Sequence, residues 1–172
     1  MGGPDILTSL ASGAIDAAEW ICPVADLGLG MHQAAKFYYG PGWHEPSTLL
    51  DLSIDLKEWE GLDADTQALM MEMAKAFNVD VFSRFQALNG PALGKLLNEH
   101  GVQLKTFPDE LLIALGNAAG EVMEERGSIN SQTKAICNHL LSFRKNIMDW
   151  STKGESEFAR IRNLPFKFPD SV

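Results

Sequence analysis

Thr48-Leu49-Leu50-Asp51-Leu52-Ser53-Ile54-Asp55-Leu56 sets Leu50, Leu52, Ile54 and Leu56 against Asp51, Ser53 and Asp55. That two-residue period is the pattern of a strand with one face buried and the other wet. The sequence on both sides is mostly helical in character. This stretch, with a shorter strand expected over residues 102–107, therefore separates an α/β fold from an all-helical one.

Upstream of it, Leu27, Met31, Ala34, Ala35 and Tyr38 recur at helical spacing and predict a helix over 24–39, ended by Gly40-Pro41-Gly42. Before that, residues 8–12 form a helical turn closed by Gly13, and residues 14–20 run extended into a loop at Pro23. Downstream, Asp63 is a candidate N-cap for a helix reaching Asn89, where Gly90-Pro91 should kink or restart it as a second helix stopping at Gly101. Pro108-Asp109-Glu110 opens a further helix with proline and acids in its first turn. Beyond Gly127, the residues Ile129, Ile136, Phe143 and Trp150 recur every seven positions, with Leu140 and Ile147 between them. A helix over roughly 130–151 then carries one apolar stripe, which either packs on the chain's own body or pairs with a second copy.

The 172 residues carry 14 basic and 23 acidic side chains, a net charge of −9 that argues against nonspecific binding to nucleic acid or anionic lipid. The acids are concentrated before residue 121, and the remainder is nearly neutral. No window holds the ~18 uninterrupted apolar residues of a membrane-spanning helix. The N-terminal residues lack the basic and apolar regions of an export signal, so the chain as it stands is expected in the cytoplasm. Cys22 and Cys137 match no metal or redox spacing and are expected as free, buried thiols.

Several motif fragments fail on their own chemistry. His44-Glu45 begins like a zinc-protease helix, but Pro46 follows and Thr48 stands where the second histidine is required. Gly28-Leu29-Gly30 lacks a third glycine and a preceding strand, which leaves a close-packed helix face as its reading. Ser142-Phe143-Arg144-Lys145 has the spacing of a serine nucleophile and its lysine, without partner motifs. No catalytic constellation is present, and no enzyme activity is expected. Two acidic sites with aromatic neighbours stand on loops, Glu19-Trp20 and Trp43-His44-Glu45. A carboxylate beside a ring can hold a cation or hydroxyl while the ring covers a ligand, and equally these can be two acids on polar loops.

Three runs carry a resemblance: residues 13–23 (Gly13-Ala14-Ile15-Asp16-Ala17-Ala18-Glu19-Trp20-Ile21-Cys22-Pro23), residues 38–46 from Tyr38-Tyr39 to Glu45-Pro46, and Leu104-Lys105-Thr106-Phe107-Pro108. Together they closely resemble the substrate-binding receptors of TRAP transporters, in particular the DctP-type branch that takes 2-oxo acids and related monocarboxylates. The resemblance implies a periplasmic, type II-like binding protein with two α/β lobes and a long C-terminal helix, of which this chain looks like the C-terminal half. It implies a helix-dominated α/β fold, with residues 1–126 as a partial ligand-binding lobe and 127–172 as a helical segment used for homodimerisation.

By motif position, the Glu19 carboxylate would ligate Na⁺ or Ca²⁺. Trp20 would add its backbone carbonyl to the cation and stack near the substrate, and Glu45 would reach ligand or metal. A hard cation wants several oxygens and can bridge protein carboxylates to an acid substrate. The arginine that forks onto the substrate carboxylate and a glutamine of the metal shell would come from the other half. The resemblance therefore implies a solute receptor handing a small organic acid to TRAP permease subunits. The alternative is a truncated protein that has lost its ligand and serves as a helix-mediated dimer or interaction module.

Overall fold

The computed structural model describes residues 2–43 and 50–168. The chain folds as two compact units, residues 1–107 and 108–172.

The first unit begins with α1 (Gly3–Ser12), closed by Gly13 at φ 73°. A loop leads to α2 (Pro23–Leu29), whose proline opens the first turn and whose Gly30 cap stands at φ 80°. That left-handed glycine ends the helix where the sequence pattern carries it on to residue 39. A single 3₁₀ turn follows at Met31–Gln33, and then strand β1 (Phe37–Tyr39). Gly30 is thus a left-handed cap, and a Cβ added at Gly28 would meet nothing within 4 Å, so Gly28 serves no close packing.

The strand expected over 48–56 is absent from its described part. Residues 50–55 carry no regular structure, with Leu50 69% and Leu52 65% exposed; Thr48 and Leu49 lie outside the described residues. Alternation stabilises a strand only when a neighbouring ladder accepts its backbone. Here Asp55 Oδ1 instead accepts from the backbone N–H groups of Lys57 and Glu58, at 3.0 and 3.3 Å, and starts α3 (Leu56–Glu60).

Helix α4 (Ala64–Asn98) is capped by Asp63, whose Oδ1 accepts from Thr66 N at 2.9 Å, and it passes through Gly90-Pro91 without a break. Proline costs that turn one backbone bond, but the segment beyond it is fastened by burial: Ala92 and Leu96 are 5% and 3% exposed where α4 packs on α2. After Gly101, at φ 67°, Val102 is buried and β2 (Gln103–Lys105) pairs in parallel with β1, Tyr38 opposite Leu104. The crossover between the two strands includes α4, as parallel pairing requires.

The second unit is helical. It holds α5 (Asp109–Gly127), α6 (Ser131–Ser151), a π-helical turn (Thr152–Ser156) and α7 (Glu157–Arg162). Asn130 and Thr133 form a reciprocal capping box at the start of α6. Helix α6 meets α5 through Cys137, whose Sγ lies 3.7 Å from the Met123 carbonyl oxygen. Both cysteines are free, as expected, but each is only half-buried. Among the described residues no helix is long and apolar enough to cross a membrane.

Candidate functional site

The loop between α1 and α2 carries Glu19 exposed to solvent and Trp20 half-buried. The Trp20 ring lies against the start of α1 so closely that a Cβ added at Gly3 would stand 2.7 Å from its Cη2 atom. Glu45, the other acid expected at the site, lies outside the described residues, so of the expected residues the structure describes Glu19 and Trp20.

No motif of the sequence singles out the residues that support this loop. Asp26, in the first turn of α2, is 7% exposed. Its backbone N–H donates to the Cys22 carbonyl at 2.9 Å, and its Oδ1 accepts from Ile21 N at 3.4 Å. Its Oδ2 accepts from the Tyr38 hydroxyl, which reaches it from β1. Burial raises the Asp26 carboxyl above its ordinary range, while the hydrogen bonds from Tyr38, Ile21 and Cys22 pull the other way. Burial first, and then Asp26, hold the Tyr38 phenol protonated well above its usual range, which makes it the donor. The amide oxygen of Asn89 on α4 accepts from Val24 N at 3.2 Å, fastening α2 from its other side.

The neighbouring strand residues point to the opposite face, as the period of two requires. Tyr39 stacks on Phe107 with ring centroids 4.8 Å apart, and the Lys105 ammonium lies 5.8 Å from the Phe37 ring centroid. An apolar groove of about 400 Å³ lies between residues 52–59 and the start of α4, lined by Leu52, Ile54, Trp59 and Met70 among others. Among the described residues its lining holds no charged side chain.

Among the described residues no three His, Cys, Asp or Glu side chains come together as a metal cluster. Glu19 and the Trp20 carbonyl are nonetheless oxygen donors of the kind Na⁺ and Ca²⁺ prefer, and they suit part of such a shell, which wants about six to eight oxygens for Ca²⁺. The signal that could have found Asp26 is an acid within the apolar run Val24-Ala25-Asp26-Leu27, a position where burial demands partners.

The family model of bacterial extracellular solute-binding protein, family 7 (DctP), matches residues 1–128. A monocarboxylate 2-oxoacid-binding periplasmic protein of Nostoc sp. is 35% identical over 156 residues, 91% of this chain and 43% of the relative. Solved TRAP solute-binding proteins share the fold. The protein from Bordetella bronchiseptica, with calcium and picolinate bound, gives a TM-score of 0.84 at 29% identity, covering 94% of this chain and 48% of that one. The protein from Colwellia psychrerythraea, with calcium and pyruvate, gives 0.82 at 30% identity over 91% and 48%. The protein from Pseudoalteromonas atlantica, with sodium and pyruvate, gives 0.85 at 27% identity over 97% and 50%. The chain spans about half the length of these relatives.

Proposed function

Because the chain belongs to bacterial extracellular solute-binding protein family 7, the DctP family, we propose that it works as part of a TRAP-type receptor for small monocarboxylates of the 2-oxo acid class. In this reading it binds and releases its ligand without catalysis, in the periplasm, and passes it to TRAP permease subunits. The observation that carries it is the match over residues 1–128, which takes in the Glu19-Trp20 loop and its supports. Relatives bearing calcium or sodium beside pyruvate or picolinate support a cation that bridges protein and acid.

On this chain Glu19 supplies a carboxylate and Trp20 its carbonyl to that cation, and the Trp20 ring covers the ligand. Glu45 reaches ligand or metal. When bound, the cation offsets the repulsion between an acidic protein and an anionic substrate. A receptor of greater length also accounts for the character of α4, which leaves Leu69, Met73, Phe77 and Phe82 each more than 60% exposed. Large apolar side chains on a helix are normally covered.

Titration calorimetry of pyruvate, with and without Ca²⁺ or Na⁺, tests the proposal on this chain alone and on the chain joined by the half its relatives possess. Saturable, cation-dependent binding is expected only in the joined receptor. Joined halves that ignore pyruvate and other 2-oxo acids at millimolar concentration overturn it. The exposed stripe on α6 favours a second reading, in which the chain acts as a helix-mediated dimer or interaction module without a ligand.

A further inference from the structure

The peptide that joins Trp20 to Ile21 is held at its N–H end. Ile21 N donates to Asp26 Oδ1, and among the described residues the only cis peptide is Gly40-Pro41. The Trp20-Ile21 peptide is therefore trans, with its carbonyl directed opposite to its N–H. Fixing the N–H fixes the line along which the Trp20 oxygen lies. We propose that Asp26 is the positioning residue of the cation site: its carboxylate, itself held by the Tyr38 hydroxyl, aims and polarises the Trp20 carbonyl as an oxygen ligand. This rests on the ligand reading above, in which that carbonyl meets Na⁺ or Ca²⁺.

The relay runs through two part-buried hydrogen bonds that share the Asp26 carboxylate, the one from Ile21 N spanning 3.4 Å. Strand β1 places Tyr38, Tyr38 holds one oxygen of Asp26, and the other oxygen of Asp26 holds the peptide. The first turn of α2 fixes the Asp26 backbone, and Asn89 ties that helix to α4. On the far side the Trp20 ring is seated against Gly3.

The charge of Asp26 needs the same explanation. Among the described residues its carboxylate forms no salt bridge, and a neutral amide or hydroxyl would satisfy hydrogen-bond donors at lower desolvation cost. A peptide dipole with a carboxylate at its N–H end and a cation at its carbonyl end stabilises both charges. Outer partners of this kind orient and strengthen metal ligands in general.

The test uses the receptor completed by the half its relatives possess, with pyruvate as ligand and calcium as variable. Asp26→Asn is expected to raise the calcium concentration at half-saturation on the order of 10-fold, and to change pyruvate affinity at saturating calcium by much less. Tyr38→Phe should move the calcium midpoint in the same direction by a smaller factor. A purely structural role would move both affinities together. A second measurement needs no variant: in the wild-type chain the Ile21 amide should exchange its hydrogen slowly, and in the completed receptor more slowly still with calcium. A wild-type receptor that binds pyruvate without any cation overturns the ligand reading and the positioning role with it. Cation-dependent wild-type binding with an unmoved calcium midpoint in Asp26→Asn, or an Ile21 amide exchanging at the unprotected rate, overturns the positioning role alone.

Discussion

The rings of His32 and His100 stack with centroids 4.0 Å apart and planes tilted by 32°, and among the described residues His32 Nδ1 is buried without a hydrogen-bond partner. Desolvation first, and then the neighbouring His100, lower the His32 pKa below its ordinary value of 6.5. A histidine with a depressed folded pKa binds fewer protons native than unfolded, so its contribution to stability is complete above 6.5 and is lost as pH falls below that value. The melting temperature should therefore fall on going from about pH 7.5 to about pH 5.5. His32→Phe, which keeps a ring but not the titration, should flatten the fall. An equal drop in that variant would exclude this pair as its source.

What can be read locally in the sequence matches the structure closely. The Asp63 cap of α4, the proline-led start of α5 and the extent of α6 depend on residues in or next to their own helix, whether by a side-chain cap or by the fixed backbone of proline. The errors fall where the outcome depends on distant partners. Residues 50–56 alternate like a strand, but a strand is a property of a pair. Pro91 reads as a break, but Ala92 and Leu96 are buried on α2 and hold the helix together across it. Tyr38 falls on a helix face by spacing, whereas its ladder with Leu104 joins residues that no local pattern connects. At the candidate site, Glu19 and Trp20 are expected from family resemblance, and Asp26 is proposed from geometry. The link between Asp26 and Ile21 runs through a backbone N–H that every sequence possesses.

Leu96 is the most completely buried apolar residue among the described residues of the first unit, and its carbonyl accepts from Val102 N at 3.0 Å at the turn into β2. Leu96→Ala removes that packing between α2 and α4 and should cost about 2–5 kcal/mol. Urea unfolding measures it. A loss under about 1 kcal/mol would mean that the site relaxes freely and is no core.

Asn130 satisfies Thr133 N at 2.9 Å, while Thr133 Oγ1 accepts from Asn130 N at 3.2 Å. Asn130→Ala breaks the box at the start of α6 and is expected to destabilise by about 0.5–2 kcal/mol. Asn130→Ser, which can still cap, should recover most of it. If serine and alanine behave alike in thermal melts, the cap does not contribute.

Glu19 is exposed on its loop and forms no salt bridge among the described residues. Glu19→Gln should therefore leave the melting temperature of this chain near wild type, since solvated surface changes are usually worth within about 0.5 kcal/mol. In the completed receptor the same change should weaken cation-dependent pyruvate binding, because an amide oxygen is a poorer ligand for a hard cation than a carboxylate. Unchanged calcium dependence in that receptor removes Glu19 from the metal shell.

Along α6 the apolar stripe faces solvent: Ile136 is 61% exposed, Phe143 58% and Trp150 65%, while the contact with α5 runs through Cys137. Such a stripe recurring every seven residues suits a second copy of the same helix, each Phe143 packing into its symmetry partner. Covering one Phe143 side chain stabilises by about 1.5–3 kcal/mol, and a twofold interface does so twice. A glutamate there would have to lose its hydration without a counter-charge. The expected outcome is a wild-type dimer by light scattering and a Phe143→Glu variant that is monomeric, with Arg144→Glu, one step off the stripe, remaining dimeric. A wild-type monomer across the concentration range, or a Phe143→Glu dimer as tight as wild type, would instead leave the stripe to be covered by the half of the receptor this chain does not span.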